Sequence, residues 1–98
     1  MYKRQIQVVL HEVAHSWDPQ SAAFRKLSGW TGSQQKGWKF KSSAKFTDDY
    51  GKTSPLEDFA TSFAAVFMHA VGLQYLGGPG ASAIPSKVNW IKSFLRRV

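Results

Sequence analysis

His11-Glu12-Val13-Ala14-His15 sets two imidazoles four positions apart with a carboxylate beside the first. On a helix, positions i and i+4 are neighbours on one face, so neutral rings from His11 and His15 can meet one Zn²⁺ at about 2.0–2.1 Å. The motif therefore asks for a helix. A catalytic zinc site usually has three protein ligands and one open position, so it also asks for a partner residue from elsewhere in the chain. Ile6, Val9, Leu10, Val13 and Trp17 follow helical spacing, which predicts an amphipathic helix from about residue 4 to 16 with that apolar stripe toward the core. His11 and His15 fall off the stripe, beside Val8. Glu12 would flank a bound metal and can take a proton from water whose pKa the metal has brought to about 7, which is the chemistry of amide hydrolysis. The plain alternative is a pair of incidental histidines. The helical context favours a metal site.

The second strong helix signal is Ser54-Pro55-Leu56-Glu57, with a serine N-cap, proline at the first helical position and glutamate at the third. Leu56, Phe59, Ala60, Phe63, Phe67, Ala70 and Val71 then form an apolar face running to about Gly72, the expected core partner of the motif helix. Leu76-Gly77-Gly78-Pro79-Gly80 is rich in turn formers, and Pro85 opens a last helix with Val88, Ile91 and Leu95 inward and Arg96 and Arg97 near the negative end of its dipole. Between the motif helix and Ser54 the signals weaken. The pattern breaks at Asp18-Pro19, and Ser21 can cap a short helix to Leu27. Ser28 to Ser54 reads as connecting structure with at most short strands, as around Trp38 to Lys41. A loop of that length is uncommon unless it serves a function.

At 98 residues the chain is long enough for one modest core, which seven Phe, four Trp and three Tyr can fill. Low-complexity segments and internal repeats are absent. Without cysteine, neither a disulfide framework nor a thiolate zinc site is available, so a metal must rest on His and carboxylate ligands, and the redox compartment is not indicated. No apolar run approaches the ~20 residues of a membrane helix, and Tyr2 to Leu10 is too short and too polar for a signal peptide. These features describe a soluble domain, with secretion or the cell envelope open if it belongs to a longer protein. The formal charge of +7 draws on Lys36, Lys39, Lys41, Lys45, Lys87, Lys92, Arg96 and Arg97. Such a balance favours anionic partners, and Trp38 and Phe40 between lysines could stack on bases. A solvated basic face is the more ordinary explanation.

With Glu12 assigned as base, the candidates for a third ligand are Asp18, Asp48, Asp49, Glu57 and Asp58. Asp18 follows His15 by three residues, at the expected helix end. Glu57 lies in the first turn of the helix expected to pack on the motif. It can equally bond back to the Ser54 N–H as the second half of a capping box. Tyr50, by itself, reads as a core aromatic with its hydroxyl at the surface.

The segment Tyr50-Gly51-Lys52-Thr53-Ser54-Pro55-Leu56-Glu57-Asp58-Phe59-Ala60 resembles the Y-G-x-T-x-x-x-E-x-F-A pattern that follows H-E-x-x-H in gluzincin-type zinc metallopeptidases related to the anthrax lethal factor catalytic domain and the clostridial Pro-Pro endopeptidases. The similarity runs from His11 to about Phe67 and loosely through the helix after Pro85. It implies His11, His15 and Glu57 as zinc ligands, Glu12 as base, and Tyr50 as a side chain assisting at the scissile carbonyl. A phenol O–H placed there can hydrogen-bond the oxyanion that builds up during attack. Two departures stand out. Where many relatives carry an acidic residue four positions after the third ligand, able to orient a ligating histidine, this chain has Thr61. The family also has a sheet before the motif helix whose edge strand holds the peptide, whereas ten residues precede His11 here. The chain is then either the C-terminal part of a longer catalytic domain or a reduced homologue with an incomplete cleft.

The expectation is a single domain over residues 1–98, mainly α (α+β at the level of the family). It would be a zincin-like metallopeptidase core with motif helix, ligand helix and C-terminal helix, and a short or absent sheet. The function expected is hydrolysis of peptide bonds by a zinc-activated water, acting on a peptide or protein substrate. Two rivals are a degenerate metallopeptidase-like module that keeps zinc and binds a partner, and a basic nucleic-acid-binding domain. Neither substrate sequence nor oligomeric state is legible.

Overall fold

The structure, a computed structural model, describes residues 2–17 and 22–97. Asp18-Pro19, expected as a helix break, Asp18 as a ligand, and Ser21 as an N-cap lie outside the described residues. The described chain is mainly α. Its elements are α1 (Tyr2–His15), α2 (Ala22–Arg25), β1 (Thr31–Ser33), β2 (Gly37–Lys39), α3 (Pro55–Ala70) and α4 (Pro85–Arg97), with 3-10 turns at Tyr50–Lys52 and Gly80–Ala83.

The centre of the fold is α3. It begins as its sequence predicts: Ser54 is extended, its Oγ accepts the Glu57 N–H at 3.3 Å, and Pro55 occupies the first turn. It stops at Val71, followed by Gly72 at φ +77°, a conformation that suits glycine. Between these ends the helix is buried over most of its circumference, so it carries apolar residues nearly all round. Phe59, Ala60 and Phe63 pack with Ala14, Phe24, Ile91 and Phe94 in the main cluster, and Ala64, Ala65 and Met68 join Tyr75 in a second. Ala70 and Val71, expected on the inward face, are exposed because the helix has by then run past the elements around it. Aromatic rings meet mostly edge to face, as between Phe24 and Phe59 at 5.3 Å and 84°, the arrangement favoured by the ring quadrupole. Burying one such phenylalanine stabilises the fold by about 1.5–3 kcal/mol relative to leaving it in water.

Against α3 lie α1, the Tyr50–Lys52 turn and α4. The motif helix forms as expected, but its inward face differs. Leu10, Ala14 and Trp17 pack on the core, whereas Ile6, Val9 and Val13 are 39%, 60% and 42% exposed. Polar tethers override the apolar periodicity here. The Gln7 amide donates to Leu76 O and accepts from Leu76 N, both at 2.8 Å, and His11 is bonded to Glu57 on α3. Both tethers lie on the same side as Leu10 and Ala14, so the branched residues turn to solvent. His11 is therefore on the inward side, and the reading that set it off the buried stripe is corrected.

The long segment from Ser28 to Ser54 contains a small antiparallel hairpin, with Thr31 opposite Lys39, Gly32 opposite Trp38 and Ser33 opposite Gly37. Gly32 is obligatory, since a Cβ there would sit 2.1 Å from Gly37 O at φ +100°. Trp30, Trp38, Phe40 and Phe46 form an aromatic group, with the Trp30 ring 6.4 Å from Trp38, 5.4 Å from Phe40 and 6.0 Å from Phe46.

The helix after Pro85 buries Ile91 as expected, and Phe94 with it. Lys87, counted among the basic surface residues by sequence, is 3% exposed. Its Nζ donates to Asp58 Oδ1 at 2.6 Å and to Lys45 O at 2.5 Å, and lies 4.1 Å from the centre of the Phe46 ring. Asp58 also accepts from Trp30 Nε1 at 2.9 Å, Ser28 Oγ at 3.2 Å and Ser62 Oγ at 3.4 Å. Burial pushes the Asp58 carboxyl up and the Lys87 ammonium down from their ordinary values, each held back by the other's charge.

Replacing Lys87 by Met strands the Asp58 carboxylate in the interior. Urea unfolding should show a loss of about 3–5 kcal/mol, whereas Lys92→Met, at an exposed position of the same helix, should stay within about 0.5 kcal/mol of the parent.

Candidate metal centre

Helix α1 ends at His15 and α3 starts at Pro55, and the two cross so that the last turn of one meets the first turn of the other. His11 Nε2 lies 2.8 Å from Glu57 Oε1, and His15 Nε2 lies 3.4 Å from the same oxygen. The imidazole rings stand 5.0 Å apart at 70°. One ligand atom from each of His11, His15 and Glu57 falls within 4.8 Å of the others, so this group could hold a metal ion. Donors at about 2.0–2.1 Å from a tetrahedral ion are roughly 3.3–3.4 Å apart. The His15 to Glu57 spacing is of that size, and the shorter His11 contact is a hydrogen bond whose direction depends on the tautomer. Two imidazoles and a carboxylate are the donor set of a zinc site with an open position.

The capping-box alternative for Glu57 is half present. Ser54 caps the helix through its own side chain, while the Glu57 carboxylate is turned to the histidines. Among the other acidic candidates, Asp58 is buried against Lys87. Asp49 is 98% exposed in its side chain and pairs with Lys52 at 3.1 Å. Asp48 is not one of the clustered donors and accepts instead from the Gly51 N–H and the Tyr75 O–H.

Glu12 is exposed on α1, and with His11 and Tyr50 it borders a recess of ≈ 320 Å³. Tyr50 is also exposed, its ring 5.8 Å from that of His11. The Glu57 charge beside it raises the Tyr50 phenol above its ordinary value, with smaller contributions from desolvation, a hydrogen bond to Glu57, and the charges of Glu12 and Asp48. Tyr50 therefore keeps its proton at neutral pH and can donate it in a hydrogen bond.

Asp48, Gly51 and Thr61 position the Tyr50 turn. Asp48 Oδ1 accepts the Gly51 N–H at 2.9 Å, and a Cβ on Gly51 would come within 2.8 Å of Thr61 Oγ1. Thr61 spends its hydroxyl on the backbone of its own helix, donating to Glu57 O at 2.8 Å and Asp58 O at 3.2 Å. Its single proton is therefore committed to backbone carbonyls. Sequence reasoning missed Gln7 and Tyr75, and weighed Asp48 only as a candidate third ligand. Asp48 accepts from the Tyr75 hydroxyl at 2.7 Å across 27 residues, a pairing with no local signal.

No protein-family model, curated protein or solved structure matches the chain.

If Glu57 is a ligand, Glu57→Ala should weaken zinc binding by at least two orders of magnitude in a competition titration, since one of three protein donors is lost. Ser54→Ala should cost about 0.5–2 kcal/mol of stability and leave zinc affinity nearly unchanged.

Proposed function

We propose that this chain carries the catalytic centre of a gluzincin-type zinc peptidase. The reading rests on one observation above all: Glu57 reaches the two histidines of the H-E-x-x-H helix from the next long helix, 46 residues away in sequence from His11. That a carboxylate joins both imidazoles, with Glu12 and Tyr50 on the same recess, supports chemistry over two incidental histidines.

Zn²⁺ held by His11, His15 and Glu57 would lower the pKa of water and polarise a carbonyl. Glu12, exposed beside His11, takes the proton of the attacking water and returns it to the departing amine as the C–N bond breaks. Tyr50 donates its O–H to the carbonyl oxygen as negative charge builds there, a role that requires the protonated phenol.

The main rival is a module that holds zinc and does no chemistry, and Thr61 favours it. With its hydroxyl donated to backbone, Thr61 does not supply the carboxylate that, in many zinc sites, orients a ligating histidine from this position.

Glu12→Gln separates the two readings. Zinc should remain bound, and turnover of an unstructured peptide library should fall by orders of magnitude. Equal and negligible turnover by parent and variant leaves the binding module. Tyr50→Phe should lower kcat by about 10²–10³ with zinc content unchanged.

Zinc ties α1 to α3, so a free concentration a hundredfold above Kd should add about 2.7 kcal/mol of stability. Chelation should accordingly lower the Tm in a calorimetric scan.

A further inference from the structure

The recess beside His11, Glu12 and Tyr50 continues along α1 by one turn to Gln7 and is closed by Asp48 and Tyr75. Its polar groups are not equally available. The Gln7 amide oxygen and one amide hydrogen are committed to Leu76. The Tyr75 hydroxyl donates to Asp48 and accepts from Thr47 at 3.5 Å. Asp48 holds the Gly51 N–H on one oxygen and the Tyr75 O–H on the other. A carboxylate has about four lone-pair positions, so two acceptor positions on Asp48 are unused.

The charge distribution is equally uneven. The chain carries thirteen Lys and Arg, yet among the described residues none lines this recess. Among the described residues no lysine or arginine nitrogen comes within ion-pair distance of Asp48, whereas Asp49 and Asp58 each have a lysine. The walls contributed by Val8 and the rings of Tyr50 and Tyr75 are apolar. A recess that is apolar along Val8 and the two tyrosine rings, and that carries the carboxylates of Asp48 and Glu12, matches a side chain with a hydrocarbon stem and a cationic head.

We propose that this recess is the specificity pocket of the site and receives a lysine or arginine side chain from a residue adjoining the scissile bond, with Asp48 as its counter-charge. The assignment rests on the peptidase reading for its location beside the scissile bond. The complementarity of the recess for a cationic side chain stands on its own.

The test uses the full chain loaded with zinc and matched peptides that carry Lys, Leu or Glu at the residue on either side of one cleavable bond. At one of the two positions kcat/KM should follow the order Lys, Leu, Glu. Asp48→Asn keeps an acceptor for the Gly51 N–H, and it should cut the Lys-to-Leu ratio by up to about fivefold, mainly through KM. A ratio within one variant does not depend on the fraction folded. Asp48→Lys should reverse the preference toward Glu, which a purely structural role for Asp48 would not produce.

A binding arm titrates the same peptides into zinc-loaded Glu12→Gln, with and without Asp48→Asn. Asp48-dependent binding of the Lys peptide, with no cleavage by the parent chain, would retain the pocket and remove the peptidase. Cleavage without a Lys preference, or a Lys-to-Leu ratio unmoved by Asp48→Asn in both arms, would overturn the pocket assignment.

Discussion

The fold turns on the buried carboxylate of Asp58. Taking a charge out of water is expensive unless every lone pair finds a donor, and here a lysine, an indole N–H and two hydroxyls converge on its two oxygens. Those donors come from α4, from the connection after α2, and from α3 itself. A single residue therefore joins three parts of the chain that have no regular hydrogen-bonding between them. Satisfying it requires one arrangement, so its contribution is to selection among packings more than to net stability. Lys87 extends the network to Lys45 O and lies against the Phe46 ring, which fixes the strand-poor segment before Tyr50.

Asp58 also determines where its neighbour points. Successive helical residues are about 100° apart around the axis, so holding Asp58 inward toward α4 and Trp30 leaves Glu57 facing α1. The two helix ends that meet there complement the donor set. Glu57 lies in the first turn of α3, where the positive pole of the helix favours a carboxylate, and His15 lies in the last turn of α1, where the negative pole favours a cation. The site thus draws on the backbone dipoles of both helices as well as on three side chains.

Local chemistry made several elements readable from sequence alone. Ser54-Pro55 starts α3, Gly72 follows its end, Pro85 opens α4, and H-E-x-x-H falls on a helix, because caps, prolines and i, i+4 spacing act within one turn. What escaped was set by distant partners. Ile6, Val9 and Val13 suggested an inward stripe with Leu10 and Trp17, and the helix is instead turned toward Gln7, Leu10, His11 and Ala14 because Gln7 and His11 are bonded to Leu76 and Glu57. Lys87 looked like one more surface cation, and only Asp58, 29 residues away, reveals it as buried. The Glu57 ligand assignment needed the Tyr50–Glu57 resemblance to choose between cap and cluster, since local spacing served both. Asp48 and Tyr75 meet solely through the tertiary fold.

The paired hydrogen bonds between Gln7 and Leu76 have a kinetic consequence. A backbone amide in a glycine-rich turn would ordinarily exchange its proton with water almost freely, but the Leu76 N–H ends on a side chain of the motif helix. Its exchange rate is therefore coupled to whether α1 is docked. Leu76 becomes a remote reporter on the helix that carries His11 and His15, readable without touching any residue of the site.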